Sequence, residues 1–312
     1  MRIGSGVSKS LLRLLIKLEL NRSRSALYVR QLLTEAEDES LDLTEAHRYV
    51  NLPRLLDDPL NYVDVGARGG VNPMFQNLGK RIRFILFEPD PSEFLNLSTK
   101  DSDAPTTVLP YAIGAIDGKA TLHLTRKRAC SSLLEPGGFM SSLFSASVNG
   151  AGKEYGDVSR FHVDATAEID CRTLKTALLD VVDEIDILKI DTQGLEYEVL
   201  NGLGDFRPFV LNVECSTTEL YRNQKTLFEV GALLRQLGYF PARLMDHHFV
   251  PDRGGRRRAT LPLHGDCVFV PDGSESGLKI VNRDPEKWIA AMSAHGLLGL
   301  ALWQADEFGI SI

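Results

Sequence analysis

The sequence predicts an α/β fold: a seven-stranded parallel sheet with helices on both faces, preceded by an N-terminal helical extension and interrupted by an insertion before the fourth strand. Three observations predict it. Short runs rich in Val, Ile, Leu or Phe, each bounded by Gly, Pro, Asp or Asn, recur from residue 61 onward. Segments of helical apolar spacing lie between them, and strands alternating with helices imply a parallel sheet buried on both faces. The ends of the first two strands carry Gly66 and, 22 residues later, Glu88, in the order in which doubly wound sheets place a glycine turn and a ribose-binding acid.

Residues 1–59 form the predicted extension. Within 8–20, Leu11, Leu12, Leu15, Ile16 and Leu18 gather mostly on one helical side while Lys9, Arg13 and Lys17 step by four along another. Such a basic amphipathic helix packs on its own domain or lies on an anionic membrane surface. An acidic helical region follows over 34–58. The main domain, 60–272, then takes strands at 61–66, 83–88, 107–113, 185–191, 208–214, 238–245 and 266–270. Helices fit at 73–79, opened by Asn72 and Pro73, at 91–99, opened by Pro91, at 194–203, and at 225–237, closed by Gly238. The alternation lapses over about 115–184, where residues 120–125 alternate at period two and 128–168 is rich in Ser, Gly and Ala. This segment reads as a lid or recognition element, or as a decorative loop. The remainder, 273–312, is a helical tail with its apolar stretch at 287–303.

A net charge of −7 argues against a nucleic-acid binder, which needs a basic footprint. Basic residues concentrate in 1–30, with seven Lys or Arg against Glu19 alone. The four cysteines lie at least 41 residues apart with no CxxC spacing, which signals neither a zinc knuckle nor a disulfide framework. Charges at Arg13, Lys17 and Glu19 break the N-terminal apolar run, so it suits neither a signal peptide nor a membrane span. The expected location is cytoplasmic, with peripheral contact at the inner face of a membrane through the basic helix as the one exception.

Three strand ends carry chemistry. Val63-Asp-Val-Gly-Ala-Arg-Gly-Gly70 allows a tight turn at Gly66, Ala67 and Gly69, and its G-x-x-G-G spacing fails the dinucleotide fingerprint. Asp64 repels a pyrophosphate but suits a ligand bearing a cation. S-adenosylmethionine fits that description better than NAD. Glu88 ends the second strand against Pro89, where a carboxylate can accept both hydroxyls of a ribose. In Asp186-Ile-Leu-Lys-Ile-Asp-Thr-Gln-Gly-Leu-Glu196, a buried strand delivers Asp191 to the rim that Gly66 and Glu88 share, and Glu196 enters the first turn of the next helix. Glu214 ends the following strand as a second rim acid. Lys189 is out of place in an apolar strand unless its charge is paired.

These residues give the chain its resemblance to the FkbM family of S-adenosylmethionine-dependent methyltransferases. It rests on VDVGARGG (63–70), ILFEPDP (85–91), YAIGAIDGKATLHL (111–124), Ser131-Ser132-Leu133, LNVE (211–214) and above all LKIDTQGLEYEVLNG (188–202). The resemblance implies a Rossmann-like methyltransferase sheet and methylation of a hydroxyl on a sugar, polysaccharide precursor or related secondary metabolite. It implies that Asp64, Gly66, Ala67 and Gly69 border the methionine side, Glu88 and Pro89 the ribose, and Ala112 and Ile113 the adenine. Asp191, Glu196 and Glu214 become the catalytic candidates, with Asp191 first as the base that an unactivated alcohol requires. The sequence departs from the family at Arg68, often Asn, and at Gln193, often Glu. Arg68 should point away from a cationic donor or meet its carboxylate.

Other features compete less well. Asp246-His247-His248 with His264 and Asp266 resembles a metal-ligand set, but adjacent side chains of a strand face opposite ways, so no metal is expected. Either His247 or His248 is an alternative base. Arg253 and Arg256-Arg257-Arg258 form a basic loop that is solvated or holds an acidic acceptor. Two other readings of the whole chain are a dinucleotide-dependent oxidoreductase, disfavoured by the glycine spacing, and a catalytically silent scaffold.

Overall fold

A computed structural model describes residues 56–71, 73–138, 142, 144, 148–149, 158–251 and 260–310. The helix expected over 8–20, most of the acidic region, and the basic loop at 253–258 lie outside the described residues.

The main sheet runs in the order β3 (Thr106–Leu109), β2 (Ile82–Phe87), β1 (Leu60–Val65), β8 (Ile187–Ile190), β9 (Val210–Ser216), β11 (Thr260–Pro271) and β10 (Tyr239–Pro251), with the two-residue β6 (Val148–Asn149) added at the far edge. The first five strands are parallel; β11 pairs antiparallel to β9, and β10 to β11. Val63, Ile85, Leu188 and Leu211 are wholly buried, as are Tyr62, Phe84, Ile187 and Val210 beside them, which is the signature of a sheet covered on both faces. The helices α1 (Pro91–Ser98), α3 (Glu196–Asn201) and α4 (Leu227–Gln236) lie between strands in sequence, as expected, after a four-residue α2 (Leu174–Ala177). Asp90 caps α1 through Ser92 N and Pro91 sits in its first turn, the arrangement that starts helices cheaply.

The chain builds outward from β1 to β2 and β3, then returns to the other side of β1 as β8. The carboxyl ends of β1 and β8 therefore flank a topological switch point, where open α/β sheets leave a crevice.

Several elements differ from expectation. The single strand expected at 107–113 is two: Pro110 has no N–H for a ladder, and β4 (Ala112–Ile113) joins a different sheet. That second sheet, in the order β4, β7 (Val163–Arg172), β5 (Gly118–Thr125), is built by the segment between β3 and β8. The period-two run at 120–125 is β5. Its antiparallel partner β7 went unrecognised although Val163, Ala165, Ala167, Ile169 and Cys171 alternate with polar residues. The segment 73–79 forms a 3-10 turn (Pro73–Arg81) kinked at Gly79 instead of an α-helix. The tail holds three helices, α5 (Glu275–Arg283), α6 (Pro285–Ala294) and α7 (Leu298–Phe308), and Trp288, Ile289 and Met292 of α6 enter the main core.

One contact fixes the switch point. Gly66 has φ 89, and a Cβ placed there would lie 1.9 Å from the carbonyl oxygen of Asp191. Gly69 has φ 88 but open space around it. Gly66→Ala is expected to lose more than about 3 kcal/mol or fail to fold, and Gly69→Ala to lose only the roughly 1 kcal/mol of backbone strain. Urea unfolding of both variants checks this; equal losses would contradict it.

Candidate active site

At the end of β1 the chain turns under β2. The N–H groups of Gly66 and Ala67 both donate to Phe87 O, at 3.1 and 3.0 Å, and Gly70 N donates to Ala67 O at 2.9 Å. Gly69 N donates to Glu93 Oε1 at 3.0 Å. Gly66 borders a cleft of about 180 Å³; Ala67, buried beneath it, and Gly69 shape the turn without lining that cleft.

Asp64 is also absent from the lining. It is 2% exposed, and its Oδ1 accepts a hydrogen bond from Lys189 Nζ at 3.1 Å. The expectation that Asp64 meets a cationic ligand directly is thus replaced by an internal pair, and the missing partner of Lys189 is found. Lys189 also lies 3.7 Å from Asp191 Oδ2. Burial alone would lower the Lys189 pKa, but the Asp64 and Asp191 carboxylates outweigh it and hold the ammonium above its ordinary value.

Glu88 follows β2, is 3% exposed, and lines the cleft with Pro89 and Asp90. Its Oε1 accepts Asp90 N at 2.9 Å. Burial pushes its pKa up to about 7, against the pull of that hydrogen bond and of Arg68. Arg68 binds Asp90 Oδ2 at 2.6 Å and lies 3.7 Å from Glu88 Oε1, so its charge is spent on this acidic corner. Ala112 and Ile113 of β4 form a buried apolar wall of the same cleft beside Tyr111.

On the opposite side Asp191, Thr192 and Gln193 leave β8. Gln193 takes φ 58 and Gly194 φ 112, which is why α3 starts at Glu196 and not at Gly194. The strained Gln193 is held from every side: its Nε2 donates to Asp191 Oδ1 at 2.8 Å and Glu214 Oε2 at 2.7 Å, its Oε1 accepts from Tyr221 Oη at 3.0 Å, and its carbonyl accepts from Ser132 Oγ at 2.7 Å.

The amide of Gln193 bridges the carboxyl groups of Asp191 and Glu214, and each acid shifts the titration of the other. Burial would raise Asp191, but Lys189, Glu214 and Gln193 more than offset it and hold it below its ordinary value. Burial and the charges of Asp191 and Glu196 raise Glu214 well above its own. His264 Nδ1 lies 3.2 Å from Glu214 Oε1.

Of the three catalytic candidates, Asp191 lines the cleft, Glu214 stands behind it, and Glu196 turns inward. Glu196 Oε1 accepts from Thr192 N, Thr192 Oγ1 and Gly194 N at 3.0, 3.1 and 3.0 Å, bracing the 192–194 turn. The second sheet closes the cleft with Leu122 and the segment from Arg128 to Leu133. Sequence reasoning left Ser132 and Tyr221 out of the site; the Ser131-Ser132-Leu133 signature was the available signal for the first, whereas Tyr221 carried none. The side chains of Asp246, His247 and His248 lie outside the described residues; among the described residues no group of three or more His, Cys, Asp or Glu is placed to hold a metal ion.

The strand order and the cleft at its switch point define a doubly wound α/β protein with a carboxylate-edged ligand site. A family model, the methyltransferase FkbM domain, matches residues 64–241, and the chain belongs to that family. No curated protein sequence matches the chain. Among solved structures it is similar to a Burkholderia thailandensis 1,6-didemethyltoxoflavin-N1-methyltransferase with bound 1,6-didemethyltoxoflavin and S-adenosylhomocysteine, at 12% identity over 80% of this chain and 87% of that one, TM-score 0.32. The 16S rRNA methylase ArmA matches at 8% identity over 83% and 96%, TM-score 0.30.

Among the described residues no helix is long and apolar enough to cross a membrane.

Glu196 yields a pH dependence. Burial pushes its pKa up to about 7 from an ordinary 4.5, so the folded state binds the extra proton between those values. Stability attributable to this group falls as pH rises through that window. Glu196→Gln keeps an oxygen acceptor for the turn and should remove the fall, on the order of 2 kcal/mol. Urea midpoints from pH 5 to 8 test it; a parallel loss at every pH would contradict it.

Proposed function

We propose that the protein is an S-adenosylmethionine-dependent O-methyltransferase acting on a hydroxyl of a sugar, polysaccharide precursor or related secondary metabolite. The observation that carries this reading is one cleft lined by Glu88 on the β2 side and by Asp191 on the β8 side, with the Gly66 turn between them. The residues present fit such a donor. Glu88, buried and fixed through Oε1, can accept ribose hydroxyls; Ala112 and Ile113 offer an apolar surface to a base; Gly66 presents backbone without a Cβ.

When bound, the donor supplies an electrophilic methyl group on a sulfonium. The chain's own part is to align an acceptor oxygen, exclude water and remove its proton. Asp191 is the group that meets that hydroxyl, because it is ionised and faces the cleft. Lys189 keeps it charged, and Gln193 fixes its orientation. Glu214 and Glu196 act through Asp191: the first through the Gln193 amide that bridges the two acids, the second by bracing the turn that carries Asp191. Asp64 acts through Lys189.

Calorimetric titration with S-adenosylmethionine, S-adenosylhomocysteine and NAD tests the donor. Binding of the two sulfur nucleosides alone, weakened at least about tenfold in Glu88→Ala, is expected for lost charge-assisted hydrogen bonds; selective NAD binding would overturn the reading. In a screen of sugar hydroxyls with methyl-labelled donor, Asp191→Asn should lower kcat about 100-fold and leave donor affinity within threefold. An unchanged kcat would remove Asp191 from its role.

A further inference from the structure

The cleft borders two guanidinium groups, and only one of them is committed. Arg68 is taken up by Asp90 and Glu88. Arg128, in the 3-10 turn Arg128–Cys130 of the second sheet's rim, lines the same cleft and makes no ion pair or side-chain hydrogen bond among the described residues. Its neighbour Arg126 faces Asp164 at 3.4 Å and does not line the cleft.

The location of Arg128 is set by the clamp around Gln193. Tyr221 Oη lies 2.9 Å from Cys130 O and 3.0 Å from Gln193 Oε1, and its single proton serves these two acceptors. Ser132 Oγ, four residues after Arg128, donates to Gln193 O. The turn bearing Arg128 is thereby pinned near the Asp191 side of the cleft. The other anion-binding devices there are already used. The N–H groups of Gly66, Ala67, Gly69 and Gly70 all have protein acceptors, and the Lys189 ammonium serves Asp64 and Asp191.

Resting on the methyltransferase reading above, we infer that Arg128 is the anion-binding residue of this cleft, taking a carboxylate from a ligand bound beside Asp191. A guanidinium presents a planar fork of donors that matches a carboxylate in two bonds. Two ligands bring that chemistry: the amino-acid end of the donor, or an acidic acceptor such as a uronic acid.

Calorimetry on the full chain separates them. S-adenosylhomocysteine is compared with 5′-methylthioadenosine, which lacks the carboxylate, and D-glucuronate with D-glucose, with and without nucleoside. The variants are Arg128→Gln, at an exposed position, and Arg126→Gln as a neighbouring control. If the donor supplies the carboxylate, Arg128→Gln weakens S-adenosylhomocysteine at least tenfold and leaves 5′-methylthioadenosine within twofold. If the acceptor supplies it, the nucleosides are unaffected and preference for glucuronate over glucose is lost. Either result, with Arg126→Gln unchanged, supports the inference. It is overturned if Arg128→Gln alters neither comparison, if Arg126→Gln has the same effect, or if the wild type prefers neither carboxylate-bearing ligand to its neutral counterpart. Failure of the donor reading shows separately, as absence of any nucleoside binding to the wild type, while the glucuronate comparison without nucleoside still reports on Arg128.

Discussion

The ammonium of Lys189 is the charge on which the rest of the site depends. It sits between Asp64 on β1 and Asp191 beyond β8, 3.1 and 3.7 Å from their oxygens, in register across a parallel pair. Without it two carboxylates would face each other in the interior of the sheet, and breaking such a buried pair costs on the order of 3–5 kcal/mol. With it, Asp191 is held below its ordinary pKa at the cleft while Glu214 is raised above its own, and Gln193 donates to both acids at once. Asp64 therefore matters without touching the cleft.

Backbone geometry then places that charge. The carbonyl of Asp191 lies where a side chain on Gly66 would go, so the first turn and the end of β8 are in direct contact. Glu88 is tied to the same turn, since Phe87 O accepts from both Gly66 N and Ala67 N. The second sheet docks onto this frame through Ser132, and Tyr221 reaches both Cys130 and Gln193. A change in any one of these elements is felt at Asp191.

Much of this was legible in the sequence because strand ends announce themselves. Near-continuous apolar runs that stop at Gly66, Glu88 and Asp191 place three groups on one rim, since a parallel sheet has only one carboxyl edge. What was not legible depends on distant partners. The alternation of β7 was written in 163–172, but a long stretch poor in apolar periodicity separates it from the period-two run at 120–125 with which it pairs. The partner of Lys189 lies 125 residues away. Asp64 looked like a ligand group because strand spacing does not tell which acid is paired internally. His264, grouped by proximity with other histidines, instead meets Glu214 because antiparallel pairing sets β11 beside β9. The positive φ of Gln193 had no signal, as the residue is neither Gly nor Asn.

The most direct test of this electrostatic account is carbon-13 NMR titration of the Asp191 and Glu214 side-chain carboxyls in the intact protein. The account predicts that Glu214 titrates above the ordinary carboxylate range and Asp191 below it. Ordinary titration of both carboxyls, or the reverse order, would contradict it.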